Sequence, residues 1–477
     1  MLPFHELRQR MKIQAEIKKA AVAVLAAASV LSSGAKTKVT FFFDTEDFIQ
    51  PRSADAIRDI ANILASEGVR GHFAMVGYLG KKLVDWRRVD VLDALKPHLV
   101  GTQTLYHALH PNITESTDIE DYGKAREIAF DEECRAIGML QAATGKDRMW
   151  CSVLPGNGNT IVAMYLYADL GIPFFGGGTG MYEDETKCGD VWYCNQRHLN
   201  YAYNLHLESF LPGRSNSLNV DAALDALARQ KVATLYMHPH MAVCTQHWDW
   251  VFKRGNNYPF GEWPFAQARD PADTAVFYER LKAFIRVIKA DPRFEITDLE
   301  QMSRALKPRR TISRSDIPAI RKTLLADFNT IRDPASWSVA DVFQAAVRFL
   351  RGEGEKAPGK VYGFLERPRG VTAEVSVSAA DLKAAAANID LGTFLPPSFE
   401  VGGKRIGPAD FLFAALEVLE TGASEVKVTP REQLGSFKEV PSLEQMKIAG
   451  SWVHTKAFKD EFLSERLRLQ LWTLRLE

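Results

Sequence analysis

The chain has 477 residues, 46% apolar and 25% charged, the composition of an ordinary globular protein long enough for one large domain and a smaller one. Lys+Arg and Asp+Glu balance at 59 each, so no net field draws it to nucleic acid, and no basic patch interleaved with aromatics argues otherwise. Its 5 cysteines are too scattered for a disulfide scaffold and form no C-x-x-C zinc pattern; only Cys188 and Cys194 are close enough in sequence to close a small loop.

At the amino terminus Lys12, Lys18 and Lys19 precede the apolar run AAVAVLAAASVLSS and then Gly34 and Ala35. A basic region, a short apolar stretch and small residues at Ser33 and Ala35 read as a signal peptide. Residues 1–35 are therefore expected to be a signal peptide or N-terminal extension, and the protein to be exported: periplasmic, cell-wall associated or secreted. The alternative is an Ala-rich amphipathic helix packed on the domain. The run falls short of the roughly 20 residues a membrane span needs, so no stable transmembrane segment is expected.

From Lys36 to about residue 306, short apolar runs alternate with helical patterns, as repeated β-α units do. KVTFFFDTEDFI reads as a strand ending in acids, and SADAIRDIANILASEG as the helix after it. VRGHFAMVGYL reads as a second strand opening into a turn at Gly77. Further strands are expected near Leu99 and over residues 150–154, 172–175, 232–237 and 294–296. DEECRAIGMLQAATG, GNTIVAMYLYADLG and DTAVFYERLKAFIRVIKA read as helices between them. The basic stretch PRRTISRSDIP marks a linker at 307–318. Residues 319–477 are expected to form a smaller, mostly α-helical domain, in which ADVFQAAV (340–347) echoes ADFLFAAL (409–416) as a pseudo-repeat.

Polar clusters recur where strands end, the place where parallel α/β barrels carry their chemistry. A strand turns alternate side chains to one face, so Asp44 and Glu46 point the same way while Asp47 lies where the chain turns outward. Carboxylates there suit metal ligation or general base duty. One carboxylate with two neutral imidazoles, and coordination positions left for water, is an arrangement in which a divalent ion activates water and polarises a carbonyl. His107 lies three residues before His110 and four after Gln103, spacings that both fit one helical turn. His238, His240 and His247 follow the strand at 232–237 and add nitrogen donors.

Taken in order, FFFDTEDF, GVRGHFAMVG, QTLYHALHPN, LPGNGN, LGIPFF, WYCN and LYMHPHMAVCTQHWDW resemble the polysaccharide deacetylase (NodB-homology) family, carbohydrate esterase family four, over residues 36–302. The resemblance implies an α/β fold, a distorted (β/α)7-type barrel, acting as a metal-dependent hydrolase that removes acetyl groups from an N-acetylated cell-wall or matrix polysaccharide. On that reading Asp44 is the general base, and Glu46, or failing that Asp47, is the carboxylate ligand of a divalent ion, zinc by preference. His107 is a second ligand, and Gln103 stands where the family has a histidine. His110 belongs to an extended form of that block. Pro155 and Gly156 line the sugar groove with Trp192, His238 is the general acid, and His240 is its neighbour. An arginine that orients the base in the family is replaced by Val153. Gln103 and Val153 therefore support a second expectation, a catalytically inactive glycan-binding or assembly protein on the same fold. In the C-terminal region TFLPPSFEVGGKRIGPADFLFAALEVL is similar to pseudomurein-binding-type repeats, with a helical packing appendage as its alternative.

Overall fold

Alternation along the first strand, β1 (Thr37–Thr45), sorts its side chains between two cores. Val39, Phe41 and Phe43 join the large apolar cluster beneath the helices. Phe42 joins a smaller inner cluster with Ala74, Leu99, Cys151, Val153, Phe174 and Tyr236. Covered on both faces, the strand reads as a nearly continuous apolar run, as parallel strands do. The structure is a computed structural model and describes residues 36–176, 191–199, 205–213, 219–333, 335–437 and 453–476. The expected signal peptide at 1–35 and Cys188 lie outside these residues, and Cys194 is a buried free thiol.

Among the described residues thirteen further strands follow: β2 (His72–Met75), β3 (Leu99–Thr102), β4 (Cys151–Val153), β5 (Phe174–Gly176), β6 (Val191–Tyr193), β7 (Gln196–Leu199), β8 (Val232–Met237), β9 (Phe294–Ile296), β10 (Val375–Ser378), β11 (Phe399–Val401), β12 (Lys404–Ile406), β13 (Glu425–Val428) and β14 (Arg475–Leu476). Ten of the fourteen form one sheet in the order β14-β6-β7-β5-β4-β3-β2-β1-β8, with β9 paired to the first residues of β1. From β8 through β1 to β7 the neighbours pair in parallel, whereas β6 and β14 are antiparallel additions. Among the described residues no ladder closes β7 onto β8, whose outer edge instead bridges to His206. The result is a mixed α/β fold built on a curled, open sheet.

Helices pack outside this sheet. Arg52–Ser66 buries Ile57, Ile60, Ala61 and Leu64 at helical spacing. The turn expected at Gly77 is instead the first residue of the helix Gly77–Asp85, which packs on the helix Tyr122–Thr144. A Cβ on Gly77 would stand 2.5 Å from the Ala136 Cα, so only glycine lets the two backbones approach this closely.

The C-terminal region contains the helices Val339–Leu350 and Pro408–Thr421 at the two echoed segments, packed so that the Phe343 and Phe411 rings lie 5.8 Å apart. Each begins with an aspartate that accepts a backbone N–H three residues earlier, Asp341 from Ser338 and Asp410 from Gly407. Two small sheets, β10 with β13 and β11 with β12, add strand structure to the helices, and Gly402 and Gly403 form the β11–β12 turn with positive φ. Strand β14 leaves this region to extend the main sheet. The large cluster is accordingly continuous from Val39 to Leu474. Within 307–318, Arg309 binds Asp341 and the Gly359 carbonyl, which docks that stretch rather than leaving it as a free tether. No described helix is long and apolar enough to cross a membrane.

Candidate active site

Parallel register brings the ends of β1 and β8 together. Phe43 stands opposite Met237, so Asp44 and His238 follow side by side at the mouth of the sheet. Phe42, Asp44 and Tyr236 lie on the inward face by alternation. Asp44 is 3% exposed and accepts a hydrogen bond from the Tyr236 hydroxyl at 2.8 Å. Burial is the main cause that raises its pKa, to about 6, against the opposing pull of His238 and Tyr236.

Glu46, one alternation further on, is 4% exposed and accepts from Trp248 Nε1 at 2.6 Å. Its Oε1 lies 3.3 Å from His107 Nε2 and 3.7 Å from His238 Nε2. Burial raises its pKa to about 8. Burial lowers that of His107 to about 3, so the imidazole is neutral and able to ligate. The loop carrying His107 is held rigidly. The first amides of the helix Gly77–Asp85 donate to the Thr104 and Leu105 carbonyls, and Thr104 Oγ1 accepts the His107 N–H at 3.0 Å. Thr104 and His107 both have positive φ, 60° and 54°, a strained backbone that fixes where the ring points.

Gln103 extends β3 by one ladder bond, its N–H donating to the Met75 carbonyl. Leu99 belongs to the inner cluster, so alternation turns Gln103 inward at the same end of the sheet as Asp44. It is fully buried, and neither atom of its amide has a partner among the described residues. Glu46 and His107 with this orphaned amide on the inward face fit a divalent ion: one carboxylate, one neutral imidazole and one amide oxygen.

His238 forms the other wall. Its Nδ1 lies 2.9 Å from Glu208 Oε1 and its Nε2 lies 2.9 Å from the Tyr236 oxygen. Burial alone would lower its pKa, but Glu46, Glu208 and Asp44 together raise it to about 10. As an imidazolium it donates through both nitrogens. The chain then runs from Glu208 through His238 and the Tyr236 hydroxyl to Asp44, with every proton placed.

Three expected site residues are engaged elsewhere. Asp47 turns away from the mouth: it accepts from the Ile49 and Gln50 amides, the Gln50 side chain and the Ser53 hydroxyl at the entrance of the helix Arg52–Ser66, which leaves it a structural turn residue. His110 holds Glu115 at 2.8 Å with Nδ1 and donates to the Phe252 carbonyl at 2.6 Å with Nε2, so its ring ties loops together and presents no free edge to a sugar. Trp192 lies in β6, its ring covered by the Arg475 guanidinium at 5.1 Å. Pro155 and Gly156 open a short turn after β4, at the same end of the sheet as the site. Val153 is 2% exposed in the inner cluster, an apolar wall where an arginine was the family expectation. His240 is buried behind His238, their ring centres 5.5 Å apart.

Glu208, Tyr236 and Trp248 were not read from the sequence. Tyr236 had a signal, since it stands two residues before His238 on one face of a strand. Glu208 and Trp248 had none, because only folding brings them near. Trp248 also begins an aromatic wall: Phe48 packs on Trp248, Tyr78 and Trp263, and Phe260, 56% exposed, contacts Tyr78, Tyr106 and Trp263. Beside it a cavity of about 570 Å³ is lined by Leu105, Tyr106, His107, Ile128 and Glu132.

No family model and no curated protein matches the chain, so the pseudomurein-type likeness of its C-terminal region finds no support there. Similar solved structures include a candidate polysaccharide deacetylase from Mycobacterium smegmatis, at 14% identity and TM-score 0.36, covering 59% of this chain and 96% of that one. A family 4 carbohydrate esterase from Streptomyces lividans in complex with acetate matches at 10% identity and TM-score 0.28, covering 56% and 94%. The 4-alpha-glucanotransferase of Thermococcus litoralis matches at 11% identity and TM-score 0.41, covering 61% and 46%. CE4 family pseudoenzymes also stand among the matches. Polysaccharide deacetylases are thus among its structural neighbours, and with scores this low any activity has to be argued from the side chains.

Proposed function

We propose that this chain is an exported hydrolase that removes acetyl groups from an N-acetylated polysaccharide. The observation that carries the reading is the hydrogen-bonded chain Glu208, His238, Tyr236 and Asp44 beside the Glu46 and His107 pair. Glu46, His107 and Gln103 would hold a divalent ion, which when bound polarises the acetyl carbonyl. Asp44, a carboxylate above pH about 6, takes a proton from water attacking that carbonyl. His238, kept protonated by its three carboxylate neighbours, gives a proton to the departing amine, and Glu208 holds the ring in orientation. Tyr236 links base and acid, so one proton movement is felt by both. The exposed Phe260 ring and its aromatic neighbours offer faces on which sugar rings stack.

Acetate release from chitin oligomers or acetylated peptidoglycan, measured with zinc, cobalt or manganese added, tests this. Asp44→Asn is expected to lower the rate by about 10²–10⁴-fold. No acetate with any of these ions, or full activity in Asp44→Asn, would sink the reading. Retained binding of the polysaccharide without acetate would favour the glycan-binding alternative that Gln103 first suggested.

A further inference from the structure

On the side of His238 away from Asp44, a second set of ligating side chains converges. Glu208, His238 and His247 each present a ligand atom, and these atoms all lie within 4.8 Å of one another. The ring centres of His238 and His247 are 4.7 Å apart, those of His240 and His247 5.1 Å, and those of His238 and His240 5.5 Å. Two imidazoles bound tetrahedrally to one ion at about 2.0–2.1 Å hold their ring centres roughly 5 Å apart, close to the separation of His238 and His247. His240 stands beside the three without adding a ligand atom to that group. It is 2% exposed, and neither of its ring nitrogens has a partner among the described residues. A buried polar group left unpaired is costly, and a water on an ion held by its neighbours would give the His240 ring a partner. Two imidazoles and one carboxylate, with a position left for water, are a donor set that suits zinc. Asp44, Glu46 and Tyr236 approach His238 from its Nε2 edge, whereas Glu208 meets its Nδ1.

We propose that Glu208, His238 and His247 form a second divalent-cation site, and that filling it silences the acid at the neighbouring centre. The ion bonds to His238 Nδ1 in place of the proton that this nitrogen shares with Glu208, and that proton passes to solvent. A neutral imidazole bound through Nδ1 gives up its Nε2 proton far less readily than an imidazolium does, so His238 no longer protonates a leaving amine. The silencing rests on the acid role proposed above; the cation site does not.

Full-chain protein is titrated with zinc by equilibrium dialysis and with cobalt(II) by visible absorption, and acetate release is followed in parallel. The wild type is expected to bind two ions, His247→Ala one, and Glu46→Gln one, the last retaining the histidine-rich cobalt spectrum. His247→Gln repeats the measurement if the alanine variant does not fold. Acetate release should fall once zinc exceeds one equivalent in the wild type but not in His247→Ala. Stoichiometry that is the same in wild type and His247→Ala overturns the site. Equal inhibition of both by excess zinc overturns the silencing. Loss of one ion in His247→Ala without acetate release from any form would uphold the site and sink the deacetylase reading instead.

Discussion

Gln103 concentrates the question of activity into one side chain. The ladder bond to Met75 and strand alternation aim it inward, and its amide is buried without a partner among the described residues. Imidazole binds zinc better than an amide oxygen does, so Gln103→His is expected to tighten zinc binding by roughly 10–100-fold in a chelator competition. Unchanged affinity would show that this position does not reach the ion. The acid and base predict a pH profile. On the proposed roles, and with the ion saturating so that Glu46 is held as its carboxylate, Asp44 must be deprotonated and His238 protonated, so acetate release should rise as pH passes about 6 and fall as it passes about 10. Tyr236 donates to the Asp44 carboxylate and lowers its pKa, so Tyr236→Phe should move the lower limb to higher pH. A limb that stays in place would remove Tyr236 from the proton chain. Asp44, Glu46 and His238 were legible as candidates because they stand at or just past strand ends among chemistry-bearing neighbours, and His107 because it lies in the histidine-containing loop after β3. Asp47 misled because a turn aspartate and a metal ligand look alike until its hydrogen bonds are seen.

At the level of elements, the continuous apolar run of β1 and the period-3.6 burial in Arg52–Ser66 were readable because each segment has one consistent apolar pattern. Gly77 was read as a turn because glycine punctuates turns as often as it permits close packing. Its neighbours decide which. An exposed helical Gly→Ala change ordinarily stabilises by about 1 kcal/mol. Here the new Cβ would meet the Ala136 Cα at 2.5 Å, and a backbone atom in a 23-residue helix cannot yield cheaply. Gly77→Ala should therefore destabilise by about 1–3 kcal/mol, and a thermal midpoint that rises instead would show that the two helices part without cost. The same helix start holds the Thr104 and Leu105 carbonyls, so this packing error should also disturb His107.

The two halves of the chain are joined at the scale of the whole molecule by contacts too short or too distant in sequence to be read. β14 is two residues long, yet it extends the main sheet through β6. Asn112 donates to the Val453 carbonyl and Glu115 accepts the Thr455 N–H, so the C-terminal segment steadies the loop that follows His107 and His110. Trp472 is fully buried and packs its ring on Phe328, Phe343 and Phe364, all from the C-terminal half, five residues before the chain's last. Emptying that position should cost about 3–5 kcal/mol. Because the apolar cluster runs unbroken from the first strand to Leu474, Trp472→Ala is expected to lower the thermal midpoint of the whole molecule in one transition, with near-ultraviolet circular dichroism and acetate release lost together. A melt that splits in two, leaving the sheet around Asp44 active after the C-terminal half has unfolded, would instead make the 307–318 stretch the boundary between independently folding units.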